Sequence, residues 1–312
     1  MVKLQHRNAI DKETMIFDSP FSSDGGTTEF QVALIGLGQR GCEQIQRLFQ
    51  QDLPGAQAFL IDHDPEYRQL ESEPAQRVQW IGNTTTVPDF SACELLAIVI
   101  VGAEHHDKTE HLSLKLGLLK ERPTLVLGIV LPPPAGQPAR LKPELLAELD
   151  CIAHWPGDPT SSQWRELLDT ALTDLVGALA QSNATPIDIG AFISALSGTH
   201  QPLRIATATV AEPLDPERVR TAARAALTDL HERGFKPDRT KGLLVVIHGD
   251  SDCQAADLDP AFKLFAETLP DTATVIPVLS TDGCWQNCPR ITLFAVGMFV
   301  APPGVARSRL SP

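Results

Sequence analysis

The chain has 312 residues, 43% hydrophobic and 21% charged, so it is long enough for two domains with sizeable cores and is not disordered throughout. Its net charge is −13, and an acidic surface disfavours nucleic-acid backbones and anionic membranes as main partners. Its six cysteines do not suggest a disulfide scaffold, and no apolar run approaches the ~20 residues of a membrane helix. We therefore expect a cytoplasmic protein that neither binds nucleic acid nor inserts directly into a membrane.

The first half of the chain alternates strand and helix patterns. Residues 1–28 lack an apolar period and are predicted to form a flexible N-terminal arm. Near-continuous apolar runs then follow, and such runs are typical of parallel strands covered on both faces. The runs are 30–35, 56–61, 95–101 and 124–130. Because helical segments separate them, residues 29–161 are predicted to form an α/β, Rossmann-like parallel-sheet domain of the nucleotide-binding type.

A long helix and a domain of different character follow. Residues Ser162–Ala180 repeat their apolar side chains with a helical period, so 162–184 are predicted to be a central helix and linker. Later strands are predicted at 205–210, 243–247, 274–279 and 291–296, with helices at 216–234 and 260–269. Residues 185–300 are therefore expected to form a smaller α+β domain with a mixed sheet, before a short tail at 301–312.

A glycine-rich turn joins the first predicted strand to the helix that follows it. Residues 36–41 read Gly-Leu-Gly-Gln-Arg-Gly, an intact G-x-G-x-x-G motif. Its glycines let backbone N–H groups approach a phosphate, and acids about 20 residues on can bind a ribose hydroxyl. The motif indicates nucleotide binding, and a tight turn that binds nothing is the alternative. The candidate binding residues are Gly36, Gly38, Arg40, Gly41, Asp62 and Asp64.

Two further groups of residues have side chains that bind metals. The candidate ligands are His106, Glu110, His248, Cys253, Cys284 and Cys288. The first two lie four residues apart and share one face if their segment is helical. The other four come from two predicted loops, whose His and Cys side chains could together bind zinc if the loops meet. The alternatives are a solvated helix N-terminus for the first group and ordinary cytosolic thiols for the second.

The order of motifs along the chain resembles the tubulin/FtsZ superfamily, and FtsZ in particular. Residues Gly242–Ile247, followed by Gly249, resemble the family's Gly-x-Leu-Val-x-Ile-x-Gly strand. Residues 291–297 resemble the family's final strand, and 149–158 resemble its Val-Asp-x-x-Ile-x-x-Pro-Asn-Asp segment. The resemblance runs from about residue 32 to residue 299. It implies a two-domain fold whose subunits stack into filaments around bound GTP.

The loops that bind and hydrolyse GTP in that family are largely replaced in this chain. Where the family has Gly-Gly-Gly-Thr-Gly-Thr-Gly, residues 102–109 read Gly-Ala-Glu-His-His-Asp-Lys-Thr. Bulky side chains crowd a triphosphate there, and carboxylates repel it. In the catalytic loop, Pro186 and Ala191 occupy positions where the family has Asn and Asp. The resemblance therefore implies that Gly102 is what remains of the phosphate loop and Asp188 of the catalytic loop.

Three functions are compatible with these patterns. The resemblance and its departures together imply a degenerate, non-hydrolysing FtsZ-like assembly protein, without a resident cofactor, that self-associates or binds an FtsZ-type partner. An FtsZ-like GTPase of reduced activity that still binds GTP or GDP is the alternative. A NAD-dependent oxidoreductase with a Rossmann domain is the second alternative, but no dehydrogenase motif surrounds His200, His231 or His248.

Overall fold

A computed structural model gives the fold of the chain between residues 30 and 299. It describes 30–50, 55–61, 78–81, 93–102, 124–132, 142–155, 162–180, 201–210, 217–249, 258–280 and 289–299, with the single residues 53, 116, 191, 194 and 196. Among the described helices, none has both the length and the apolar character that a membrane span requires.

Strands and helices alternate along these ranges. The strands are β1 (Phe30–Leu37), β2 (Ala56–Ile61), β3 (Val78–Ile81), β4 (Cys93–Gly102), β5 (Leu125–Leu131), β6 (Cys151–His154), β7 (Gln201–Thr209), β8 (Phe235–His248), β9 (Thr274–Ser280) and β10 (Arg290–Phe299). The helices are α1 (Gly38–Leu48), α2 (Pro143–Glu148), α3 (Ser162–Ala180), α4 (Arg218–Glu232) and α5 (Asp259–Thr268).

The strands form one ten-stranded sheet in the order β3-β2-β1-β4-β5-β6-β7-β10-β8-β9. All pairings from β3 to β7 are parallel. In the second part, β10 runs antiparallel to both β7 and β8, while β9 is parallel to β8. The parallel and mixed parts agree with the predicted α/β and α+β regions. They are joined into a continuous sheet because β6 pairs with β7 at Cys151–Gln201 and Ile152–Pro202.

The helices bury apolar side chains against both faces of this sheet. Helices α1 and α3 contribute to a core that runs along one face of both the parallel and the mixed parts. The opposite face of the parallel part has a second core, which includes Leu145 of α2. Helices α4 and α5 build a third core on the mixed part. Helix α3 is thus shared by the two halves of the molecule, which makes it the structural connection between them.

Candidate functional site

The glycine-rich turn lies where the strand order reverses. Strand β1 has β2 on one side and β4 on the other, and all three are parallel. In such sheets, ligands bind in the crevice outside the carboxyl ends of the strands at this switch point. Leu37 is in register with Ile61 and Val101, and Gly102 with Leu131, so these strands end at one edge. The fold therefore brings the predicted residues of the turn and Gly102 to a common crevice.

Backbone geometry requires glycine at all three glycine positions of the turn. Gly38 has a φ of 73°, in the left-handed region that side chains disfavour. A Cβ atom on Gly36 would lie 2.8 Å from the carbonyl oxygen of Gly41, and one on Gly41 would lie 2.3 Å from that of Ile100. Helix α1 therefore sits so close to β1 and β4 that only glycine fits. Close packing therefore accounts for Gly36 and Gly41, and the positive φ accounts for Gly38.

The side chain of Arg40 crosses the crevice. Its Nη1 donates a hydrogen bond to the carbonyl oxygen of Pro132, the residue directly after β5. Arg40 lies in the first turn of α1, which packs against β4, so this bond joins the start of α1 to the residue that follows the next strand of the sheet. On the exposed side of the same turn, Gln39 Nε2 donates to Glu43 Oε1 at 3.0 Å. A guanidinium group thus lies over the strand ends at the switch point.

Helix α1 is fixed to the central helix by a partly buried carboxylate. Arg47 Nε lies 2.6 Å from Asp169 Oδ2, and Gln44 Nε2 donates to Asp169 Oδ1. Arg47 Nη2 also donates to Gln44 Oε1 at 2.9 Å, so the three side chains form a closed network. Burial raises the pKa of Asp169, while its bonds to Arg47 and Gln44 act in the opposite direction. This network therefore fixes α1, the helix that follows the glycine-rich turn, to α3.

A second carboxylate of α3 binds the mixed part of the sheet. Asp174 is fully buried and accepts hydrogen bonds from Arg290 Nη2 and Thr292 Oγ1 on β10. His248 Nε2 lies 3.1 Å from Asp174 Oδ1, and the hydroxyl oxygens of Thr292 and Thr207 lie 3.0 Å apart. The network therefore links α3 to β7, β8 and β10. The sequence did not predict this network, because its only signal was an acid among the apolar positions of a long helix.

The structure places some predicted site residues and leaves others untested. Gly36, Gly38, Arg40, Gly41 and Gly102 lie at the edge of the sheet where β1 and β4 end, and their role in binding stays a prediction. His248, predicted as a metal ligand, lies against Asp174 instead of an exposed loop. Among the described residues, no group of three or more His, Cys, Asp or Glu side chains could hold a metal ion. Outside the described residues lie Asp62, Asp64, His106, Glu110, Asp188, Cys253, Cys284 and Cys288, whose roles stay predictions.

Comparison with known proteins identifies the architecture. The sequence matches no protein-family model and no curated protein sequence. Solved structures do match, and among them is an "empty" FtsZ dimer from M. jannaschii. It is 16% identical, with 86% of this chain and 88% of that chain covered at a TM-score of 0.67. GDP-bound CetZ1 from Haloferax volcanii is 13% identical, with 88% and 96% covered at a TM-score of 0.62.

A third similar structure comes from a filament. It is the GTPγS-form protofilament of TubZ from Bacillus thuringiensis serovar israelensis, 13% identical, with 88% of each chain covered at a TM-score of 0.56. All three likenesses span both halves of the chain, including the parallel sheet, the central helix and the mixed sheet. At these identities they establish architecture, and they agree with the resemblance read from the sequence. The chain therefore has an FtsZ/tubulin-like fold.

Proposed function

We propose that the protein is an FtsZ/tubulin-like cytoskeletal protein that assembles with copies of itself, or with an FtsZ-type partner, without binding or hydrolysing GTP. The fold supports the assembly part of this proposal. Structures of similar fold include an FtsZ dimer and TubZ protofilaments, so this architecture is compatible with stacking of subunits. We infer that the chain keeps the stacking scaffold and has lost nucleotide control of it.

The contact between Arg40 and Pro132 carries the nucleotide part of the proposal. The guanidinium group already donates a hydrogen bond to the carbonyl oxygen of Pro132, directly after β5. A nucleotide entering the crevice would have to displace it. The sequence after Gly102 adds Glu104 and Asp107, whose carboxylates would repel a triphosphate. Close packing of α1 already requires glycine at positions 36 and 41, so the motif by itself is weak support for a bound phosphate.

Sedimentation velocity with and without GTP tests the proposal directly. We expect the distribution of monomers and oligomers to be the same without nucleotide and with millimolar GTP or GDP. Calorimetric titration of the same sample should give no binding heat. Polymerisation that depends on GTP would refute the proposal.

A second candidate function is an FtsZ-like GTPase of reduced activity. The intact glycine-rich turn at the switch point favours it. The Arg40 guanidinium could replace its hydrogen bond to the Pro132 carbonyl oxygen with a stronger, charge-assisted bond to a phosphate. In that case Asp188 is the proposed catalytic remnant. Calorimetry with the Arg40→Ala variant separates the two functions.

The Arg40→Ala variant has a different expected result under each function. If Arg40 binds phosphate, the wild type binds GTP and the variant binds at least about tenfold more weakly, because a charge-assisted bond is lost. If Arg40 closes the crevice, the wild type binds no GTP, and the variant loses about 1 kcal/mol of stability with its hydrogen bond. Gln39→Ala, on the exposed side of the same turn, is the matched control. NAD in the same titrations tests the oxidoreductase alternative.

A further inference from the structure

Strand β9 is the last strand of the sheet on the side of the mixed part. Within the described residues, β9 pairs with β8 on one edge and no strand follows it on the other. Its parallel pairing runs from Gly242–Thr274 to His248–Ser280. An edge strand presents its outer N–H and C=O groups to any strand that approaches, including one from a second copy of the chain. The outer edge of β9 is therefore a surface at which copies could pair.

The composition of β9 favours such pairing. Residues 274–279 read Thr-Val-Ile-Pro-Val-Leu, which contains no charged side chain and four β-branched ones. Short uncharged segments of high β propensity are the ones that pair between chains and aggregate. Ile276, Val278 and Leu279 are buried in the cores on the two faces of the sheet, so the strand has to be apolar. Charged side chains at these positions, which protect many edge strands, would therefore disrupt the fold.

Pro277 interrupts this segment at the centre of the strand. It is exposed, it is in register with Val245, and three paired residues lie on either side of it. The other prolines of the described strands, Pro202 and Pro237, lie within the first three residues of β7 and β8. Because proline has no N–H to donate, it fits the middle of a ladder only where its nitrogen faces away from the neighbouring strand.

The pairing with β8 fixes which backbone groups of β9 face outward. In a parallel ladder, one residue of each pair makes both hydrogen bonds to the opposite strand, and Pro277 cannot donate one of them. Val245 therefore makes both bonds of this pair, to the C=O of Ile276 and the N–H of Val278. The nitrogen and the carbonyl of Pro277 then point away from β8. A strand added to the outer edge would meet the proline ring where it needs a donor.

We propose that Pro277 prevents the outer edge of β9 from pairing with a strand of a second copy, so that contacts between copies form on other surfaces. The proline removes a donor from the middle of the edge, and its ring occupies space that the backbone of an added strand would need. This role does not depend on the assembly proposed above, because edge pairing would also aggregate a chain that works as a monomer.

Sedimentation velocity of the full chain with Pro277→Val tests this role. The substitution supplies the missing N–H and a β-branched side chain, so we expect self-association at least about tenfold tighter than that of the wild type. Thr274→Val is the matched control, since it adds an apolar β-branched side chain at an exposed position of the same strand but no N–H. It should associate like the wild type. Pro277→Lys restores the N–H together with a charge, and should associate more weakly than Pro277→Val.

Hydrogen exchange shows whether the variant associates through this edge. The new amide at position 277 should exchange rapidly in the dilute monomer and become protected in the associated form. The proposal is overturned if Pro277→Val associates like the wild type, if Thr274→Val associates as tightly as Pro277→Val, or if the new amide is protected in the monomer. If Pro277→Val does not fold, Pro277→Ala also restores the N–H and should associate several-fold more tightly than the wild type. Equal association of Pro277→Ala and the wild type would contradict the role.

Discussion

The central helix carries two carboxylates that bind opposite halves of the molecule in different ways. Asp169 joins α3 to α1 through Arg47, and these side chains are 10% and 30% exposed. Asp174 joins α3 to β10 through Arg290, and these side chains are 0% and 11% exposed. At Asp169, burial outweighs the bonds and raises the pKa. Because the Asp174 pair is the more deeply buried, we expect the stability of the fold to depend more on it than on the Asp169 pair.

The largest effect is expected from removing the buried carboxylate. Asp174→Ala leaves the Arg290 guanidinium buried without its carboxylate, which typically costs about 3–5 kcal/mol. Urea unfolding, followed by circular dichroism, measures the loss. Asp238→Ala is the control, because Asp238 is 76% exposed and should change stability by less than about 0.5 kcal/mol. If Asp174→Ala lowers the free energy of unfolding by less than about 1 kcal/mol, the Asp174 network contributes little to holding α3 on the mixed part of the sheet.

A smaller effect is expected from removing one donor to the same carboxylate. Thr292→Val keeps the shape of the side chain and deletes the hydroxyl that donates to Asp174 and lies 3.0 Å from the Thr207 hydroxyl. Hydrogen bonds to charged groups contribute about 1.5–3 kcal/mol, so the free energy of unfolding should fall by that amount. Thr228→Val on the exposed face of α4 is the control. Equal stability of both variants would show that Asp174 is satisfied without Thr292.

The smallest effect is a pH dependence at Asp169. Burial raises the pKa of Asp169 in the folded state above the ordinary 3.8. Protonation of this carboxylate therefore stabilises the fold, and the stabilisation is complete below pH 3.8. It is lost as the pH rises through the folded-state pKa. Asp169→Asn does not titrate. Relative to the variant, the wild type should therefore gain stability as the pH falls from 7 towards 4. Urea unfolding at both pH values checks this, and a difference that is constant or of opposite sign would contradict the raised pKa.

Much of the fold could be predicted from local patterns. The central helix has the predicted bounds Ser162–Ala180, and β2 has the predicted bounds Ala56–Ile61, because apolar spacing specifies both. The first part of β8, from Phe235, was not predicted, because Lys236-Pro237-Asp238-Arg239 carries no strand pattern. This part pairs irregularly with β10, for example Phe235 with Phe299. Its conformation is set by tertiary pairing that local propensity does not encode.

The candidate sites also contain features that local sequence predicts and features that depend on tertiary contacts. The glycine-rich turn could be placed at a strand-to-helix junction because its residues are adjacent in sequence. The contact of Arg40 with Pro132 joins residues 92 positions apart, and that of Asp174 with Arg290 joins residues 116 apart. No local spacing encodes such pairs. Their prediction requires the strand order, which places β5 two strands from β1 and β10 beside β7.

The short join between β6 and β7 has a mechanical consequence. Among the described residues, two pairs join β6 to β7, and Pro202 in one of them has no N–H to donate. Twisting one half of the sheet against the other would therefore break few backbone hydrogen bonds at this seam. Deuterium labelling of backbone amides should detect opening at Cys151, whose N–H points towards β7, before either half unfolds. A small rotation at this seam would be resisted by α3 and by the apolar core that runs along one face of both parts.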